Sequence, residues 1–144
     1  MKPAVWVLLL VAATGARADL ANARAEPNLE KRSKLALENA QRALKGARDA
    51  YNRGDLKQVE TLVAEVGESV ELADTSLKET GKDPRKSPKW FKRAEIQTRD
   101  LLRKLDAFDQ EMNFTDRPLL AKVRNQVREV HDNLLLGVME GKRR

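Results

Sequence analysis

Cysteine is absent and histidine occurs once, as His131. A chain without cysteine forms no disulfide, so an exported domain of this kind is held by its core alone. The same absence closes the lipoprotein route and attachment of haem through a Cys-x-x-Cys-His motif. With one histidine and no cysteine, structural zinc sites and hydrolytic triads lack their parts, and the reading is of a protein that is not an enzyme. Long hydrophobic runs are equally scarce. Only Pro3 to Ala13 (PAVWVLLLVAA) qualifies, and it falls short of the roughly 20 apolar residues that a membrane span needs.

That run has another meaning. Met1-Lys2 places a positive charge before it, and Ala16-Arg17-Ala18 sets small residues where a signal peptidase reads. Residues 1–18 therefore read as a signal peptide cleaved after Ala18, and the protein as periplasmic or secreted, with no integral membrane span in the mature chain. Cleavage removes 18 of the 144 residues and leaves 126, enough for one domain. Lys2 and Arg17 leave with it, so the formal net charge falls from +6 to +4. An excess that small does not name a polyanion. With an export signal and no binding motif, nucleic acid is not an expected partner. Freedom from disulfides suits the bacterial envelope.

Four apolar stripes follow, each with spacings of three and four that place it on one helix face. The first is Leu37, Ala40, Leu44, Ala47 and Tyr51, and the second runs from Leu56 and Val59 to Ala73 and Leu77. Phe91, Ala94, Thr98, Leu101, Leu105, Phe108 and Met112 make the third; Leu120, Val123, Val127, Val130 and Leu134 make the fourth. The expected fold is all-α, an up-down-up-down four-helix bundle with helices at about 28–53, 55–80, 88–112 and 115–140. Helices of about 25 residues would span about 38 Å. Residues 19–26 read as a loose leader, 27–141 as the bundle and 142–144 as a basic tail.

The punctuation supports these limits. Gly54 can close the first helix and Asp55, with Gln58, can open the second. Gly81 and Asp83-Pro84 end the second, and Ser87-Pro88 starts the third. Thr115 is placed to cap the fourth, with Phe114 and Leu119 as a hydrophobic staple, which explains Asn113-Phe114-Thr115 better than glycosylation does. Short connections predict that successive helices are antiparallel neighbours. Acid–base pairs four apart (Glu38/Arg42, Asp49/Arg53, Asp74/Lys78, Glu95/Arg99 and Asp100/Lys104) are expected on solvent faces. The first helix buries mostly alanine, and Gly46, Gly67 and Gly137 interrupt helices, so either close packing or kinks are expected.

Ala50-Tyr51-Asn52-Arg53-Gly54-Asp55-Leu56 resembles the turn of a tetratricopeptide hairpin, over about residues 37–77. The chain departs from that family in having helices about twice as long and no second copy about 34 residues on, so the resemblance implies a hairpin and no peptide groove. In layout the whole chain is similar to exported helical-bundle proteins of bacteria. Arg53-Gly54-Asp55 is also the tripeptide that integrin ligands display. A glycine cap and an aspartate cap leave no protruding loop to display it.

Two places hold candidate chemistry. His131, at the edge of the fourth stripe, is the sole candidate for holding haem or a metal. Size and layout are similar to those of exported haem-binding four-helix cytochromes, which pair it with a methionine of the first helix. That helix has none here, and Met112 and Met139 lie near the ends of helices three and four. A carboxylate-bridged metal pair needs Glu-x-x-His and inward acids, whereas Glu129-Val130-His131 has the wrong spacing and the stripes hold no acid. No cofactor is expected. The second place is the connection where Lys82, Arg85, Lys86, Lys89, Lys92 and Arg93 crowd around Trp90 against a single Asp83. It would suit an anionic partner such as lipid headgroups or a wall polymer. The resulting expectation is a non-catalytic interaction or structural module of the envelope, bound to an envelope protein or an anionic polymer.

Overall fold

The computed structural model describes residues 14–142. Residues 1–13, most of the expected signal peptide, and Arg143 and Arg144 of the basic tail lie outside the described residues. Five helices and no strand occur among them: α1 (Thr14–Ala25), α2 (Leu29–Asn52), α3 (Leu56–Glu79), α4 (Pro88–Glu111) and α5 (Pro118–Lys142). The fold is all-α, as expected, but it has one helix more than the four stripes call for.

The extra helix replaces the loose leader. Leu20 and Ala23, three apart, are both buried, and α1 packs against α2. Asp19 meets Arg42 at 3.3 Å and Arg24 meets Glu68 of α3 at 3.6 Å. The physical reason is tertiary: Leu20 and Ala23 form only a narrow apolar face, and it is buried because α1 lies against α2. Arg42 was expected to pair with Glu38; it turns to Asp19 instead, and Glu38 takes Lys34 at 3.8 Å.

The four long helices alternate in direction. Asn39 Nδ2 donates to Ser69 Oγ at 2.9 Å between α2 and α3, and both are buried. Gln41 meets Asp100 and Arg48 meets Glu111, so α2 and α4 run parallel. Helix α3 packs on α2 and α5 and only lightly on α4. The expectation that all successive helices are neighbours therefore fails at one connection. Residues 80–87 cross the end of the bundle, turned by Gly81 at φ +66° and by Asp83, whose carbonyl accepts the N–H groups of Lys86 and Ser87. Two hairpins, α2–α3 and α4–α5, thus lie side by side with like-directed helices in contact.

The glycines inside helices mark close approach. A Cβ on Gly46 would stand 3.1 Å from Leu62 Cδ1, and one on Gly137 would stand 3.3 Å from Pro84 Cγ in the crossing connection. At Gly67 the helix carbonyl accepts Gln126 Nε2 of α5 at 3.1 Å, and a Cβ there would sit 2.6 Å from Gln126 Oε1. All three helices continue through these residues.

Gly54, at φ +77°, ends α2 in a Schellman arrangement: Asp55 N–H donates to Ala50 O at 2.9 Å and Gly54 N–H to Tyr51 O at 3.0 Å. The Asp55 side chain accepts the Gln58 N–H at 3.1 Å. The Arg53-Gly54-Asp55 tripeptide is thus a hairpin turn whose carboxylate is engaged by its own helix. At the other caps the structure departs from expectation. Ser87 occupies the cap position of α4 without a side-chain bond. Thr115 does not cap α5, which starts at Pro118, and Phe114 is 83% exposed, so no staple forms. Tyr51 explains why: its hydroxyl accepts the Asn113 N–H at 2.8 Å and donates to Asp116 Oδ2 at 2.9 Å, holding residues 113–116 as a turn.

Between α2 and α4, Asp100 is bonded to Lys104, Arg103 and Gln41. Burial would raise its carboxyl, but the bond and attraction from Lys104, with the bonds from Arg103 and Gln41, hold it below its ordinary value. A carboxyl lowered in the folded state contributes stability at neutral pH that is lost as pH falls below about 4 and through the lowered value. Urea midpoints measured down that range should fall, and Asp100→Asn should flatten the decline. An equal decline in the variant would remove Asp100 from the account.

Candidate functional site

The end of the bundle that joins the start of α4 to the end of α5 collects the basic residues. Lys82 is ion-paired with Glu30 and Arg85 with Glu140 at 3.0 Å. These two hold the crossing connection to α2 and α5 and are partly committed. Asp83, the one acid of the segment, accepts the Arg85 N–H through its carboxylate at 2.9 Å. Lys86, Lys89, Lys92 and Arg93 follow, all exposed, with no acid between residues 86 and 93.

Trp90 is half-buried against the core, in the groove where α4 meets Ser33 and Leu37 of α2. The Lys89 ammonium and the Arg93 guanidinium stand 5.4 and 5.8 Å from its ring centre. Cations at that range are drawn to the ring face, which positions both charges while leaving them accessible. Helical geometry produces this group. Residues 89 and 93 are four apart and flank residue 90 on one side of α4, whereas Phe91 and Ala94 turn inward. The indole serves as a mount for the two cations.

His131 lies across the α4–α5 contact. Its Nε2 is 3.2 Å from Glu95 Oε1 and its Nδ1 is 3.2 Å from Asp132 Oδ1. Glu95, expected on a solvent face, is only 8% exposed, and it also meets Arg99 at 3.3 Å. Sequence reasoning placed no acid in the interior, yet Glu95 and Glu65 are both buried. Spacing held the missed signal: Glu95 follows Ala94 and precedes Thr98 by three, so it borders the core on the side facing α5. Both ring nitrogens of His131 are engaged by carboxylates. No group of three or more His, Cys, Asp or Glu able to hold a metal occurs among the described residues. Met112 is buried at the end of α4 and Met139 is exposed near the end of α5, so the structure brings neither to His131.

A groove of about 670 Å³ opens between α2 and α4, lined by Gln41, Leu44, Lys45, Arg48, Lys104 and Glu111 among others. Its charges are largely spoken for. Arg48 pairs with Glu111, and Lys104 donates to Gln41 Oε1 at 2.8 Å and meets Asp100 at 3.0 Å. No helix among the described residues is long and apolar enough to cross a membrane.

No protein-family model matches the chain, and no curated protein or solved structure matches it either. The functional reading therefore rests on the geometry.

Proposed function

We propose that this chain is an exported, non-catalytic interaction module of the bacterial envelope that meets an anionic partner through the basic end of its helical bundle. The observation that carries the reading is the run from Lys86 to Arg93, where four exposed cations stand without an acid and two are mounted on Trp90. Lys82 and Arg85 support that surface by tying the connection down. The export signal read in residues 1–18 and the helical hairpins are consistent with an envelope scaffold. His131 serves the α4–α5 contact in this reading.

A basic residue near an anionic surface contributes about 1 kcal/mol, so four of them give ample affinity at low salt. The protein should sediment with anionic vesicles or isolated wall material at low salt and release as salt rises. Replacing Lys86, Lys89, Lys92 and Arg93 together by glutamine should lower the bound fraction at least about tenfold. Binding that survives this change undiminished would discard the reading.

A further inference from the structure

Two exposed aliphatic side chains stand at the same end of the molecule as the basic run. Leu136 is 60% exposed and Met139 is 48% exposed, both near the end of α5. The Glu95–His131 contact sets the register of the antiparallel α4–α5 pair. From that contact α4 runs back toward its start while α5 runs forward toward its end, each at about 1.5 Å per residue. Lys92 therefore stands level with residue 134 and Lys89 with residue 137.

The stripes also face the same way. Lys92 precedes Glu95 by three, on the side of α4 that borders α5. Met139 follows His131 by eight, on the side of α5 that borders α4. Lys89 and Leu136 each lie three residues from those partners, one step further toward solvent on their own helices. The outer surface of the α4–α5 pair thus carries Lys89, Lys92 and the 52% exposed Ile96 on α4, and Leu136 and Met139 on α5. Of the neighbouring acids, Glu140 is ion-paired with Arg85 and Asp132 Oδ1 lies 3.2 Å from His131 Nδ1.

We infer that this surface is a docking face for an anionic phospholipid bilayer, with Lys86, Lys89 and Lys92 at the headgroups and Leu136 and Met139 entering the acyl boundary. Charge complementarity selects an anionic partner. The adjacent exposed aliphatics select a lipid surface over a soluble polyanion, which offers them no apolar phase. The inference rests on the anionic-contact reading and specifies its partner. Trp90 itself packs toward α2 on another side of α4, and Lys89, whose ammonium stands over its ring, lies between that side and Lys92.

The test compares the exported chain with two variants on three probes: phosphatidylglycerol vesicles, phosphatidylcholine vesicles and inorganic polyphosphate. The first variant is Lys86→Gln/Lys89→Gln/Lys92→Gln; the second is Leu136→Ser/Met139→Ser, whose exposed sites should leave the thermal midpoint near that of the parent. The parent should bind phosphatidylglycerol vesicles at least tenfold more tightly than phosphatidylcholine ones, a preference the lysine variant should lose. The serine variant should bind phosphatidylglycerol vesicles about fivefold or more weakly and polyphosphate as the parent does. Serine-variant binding to vesicles equal to the parent's, or parent binding to polyphosphate alone, overturns the lipid inference and leaves the anionic reading standing. Parent binding to neither vesicles nor polyphosphate at low salt overturns both.

Discussion

Phe108→Ala should destabilise the protein by about 3–5 kcal/mol, the range for emptying a buried aromatic site. Phe108 is 1% exposed and is among the largest fully buried side chains. Its ring meets that of Tyr51 edge to face, with centroids 5.8 Å apart at 71°. Truncation leaves a cavity and also removes the wall against which Tyr51 stands. Tyr51 in turn holds the connection between α4 and α5 through Asn113 and Asp116. One substitution therefore loosens α2, α4 and the turn before α5 together. Against a typical total stability of about 5–15 kcal/mol, that loss is large enough to unfold a substantial fraction on mild warming. Urea denaturation of Phe108→Ala and Phe108→Leu gives the comparison. The leucine variant should retain most of the stability, since it keeps much of the volume. A loss near or below about 1 kcal/mol in Phe108→Ala would mean that the site collapses around the gap and that Tyr51 needs no support.

Ala40→Leu should cost about 1–3 kcal/mol, from the opposite fault of overpacking. Ala40 is fully buried on α2, and its neighbours in sequence show how it is enclosed. Asn39 bonds to Ser69 of α3 on one side, and Gln41 bonds to Gln97 and Asp100 of α4 on the other. Ala40 points between the two partners, where three added carbons must push α3 or α4 away. Leucine and alanine have similar helix propensities, so the measured loss reports packing alone. The buried Asn39–Ser69 bond depends on that separation and should weaken with it. Lys45→Leu, at an exposed site of α2, provides the control and should change the urea midpoint little. If Ala40→Leu were as stable as the parent, a void beside Ala40 would have to exist, and the alanine face could not be the reason for the close α2–α3 approach.

The helices were largely legible because their signals are local. The expected limits 28–53, 55–80 and 88–112 compare with α2 at Leu29–Asn52, α3 at Leu56–Glu79 and α4 at Pro88–Glu111. Gly54, Asp55 and Pro88 act within one turn of the residues they punctuate, so a reading along the chain can find them. The start of α5 was misplaced because its determinant is distant. Thr115 has the right residue type for a cap, but Tyr51, a residue of another helix, takes the Asn113 N–H and keeps the segment in a turn. Helix α1 escaped for a related reason. Leu20 and Ala23 are too sparse a stripe to announce a helix, and they acquire meaning only when α1 packs against α2.

The candidate site shows the same division. The crowding of Lys82, Arg85, Lys86, Lys89, Lys92 and Arg93 around Trp90 was readable as composition. Which of those cations are committed was not, because Glu30 and Glu140 reach them from α2 and α5 across the crossing connection. Three of the expected pairs four apart are present, Asp74/Lys78, Glu95/Arg99 and Asp100/Lys104, since both partners lie on one helix. The contact of Glu95 with His131 depends on how α4 meets α5.

By itself, then, the sequence determined the helical class, the limits of three long helices, the hairpin at Gly54-Asp55 and the location of the basic run. Periodicity and caps act over three or four residues, and free energies of that range are written in neighbouring side chains. Only the tertiary structure decided that residues 80–87 cross the bundle end and that α1 covers α2. It alone placed Glu95 in the interior, against His131 of α5. Those outcomes depend on which surfaces come together, and burial and distant hydrogen bonds exist only after they have done so.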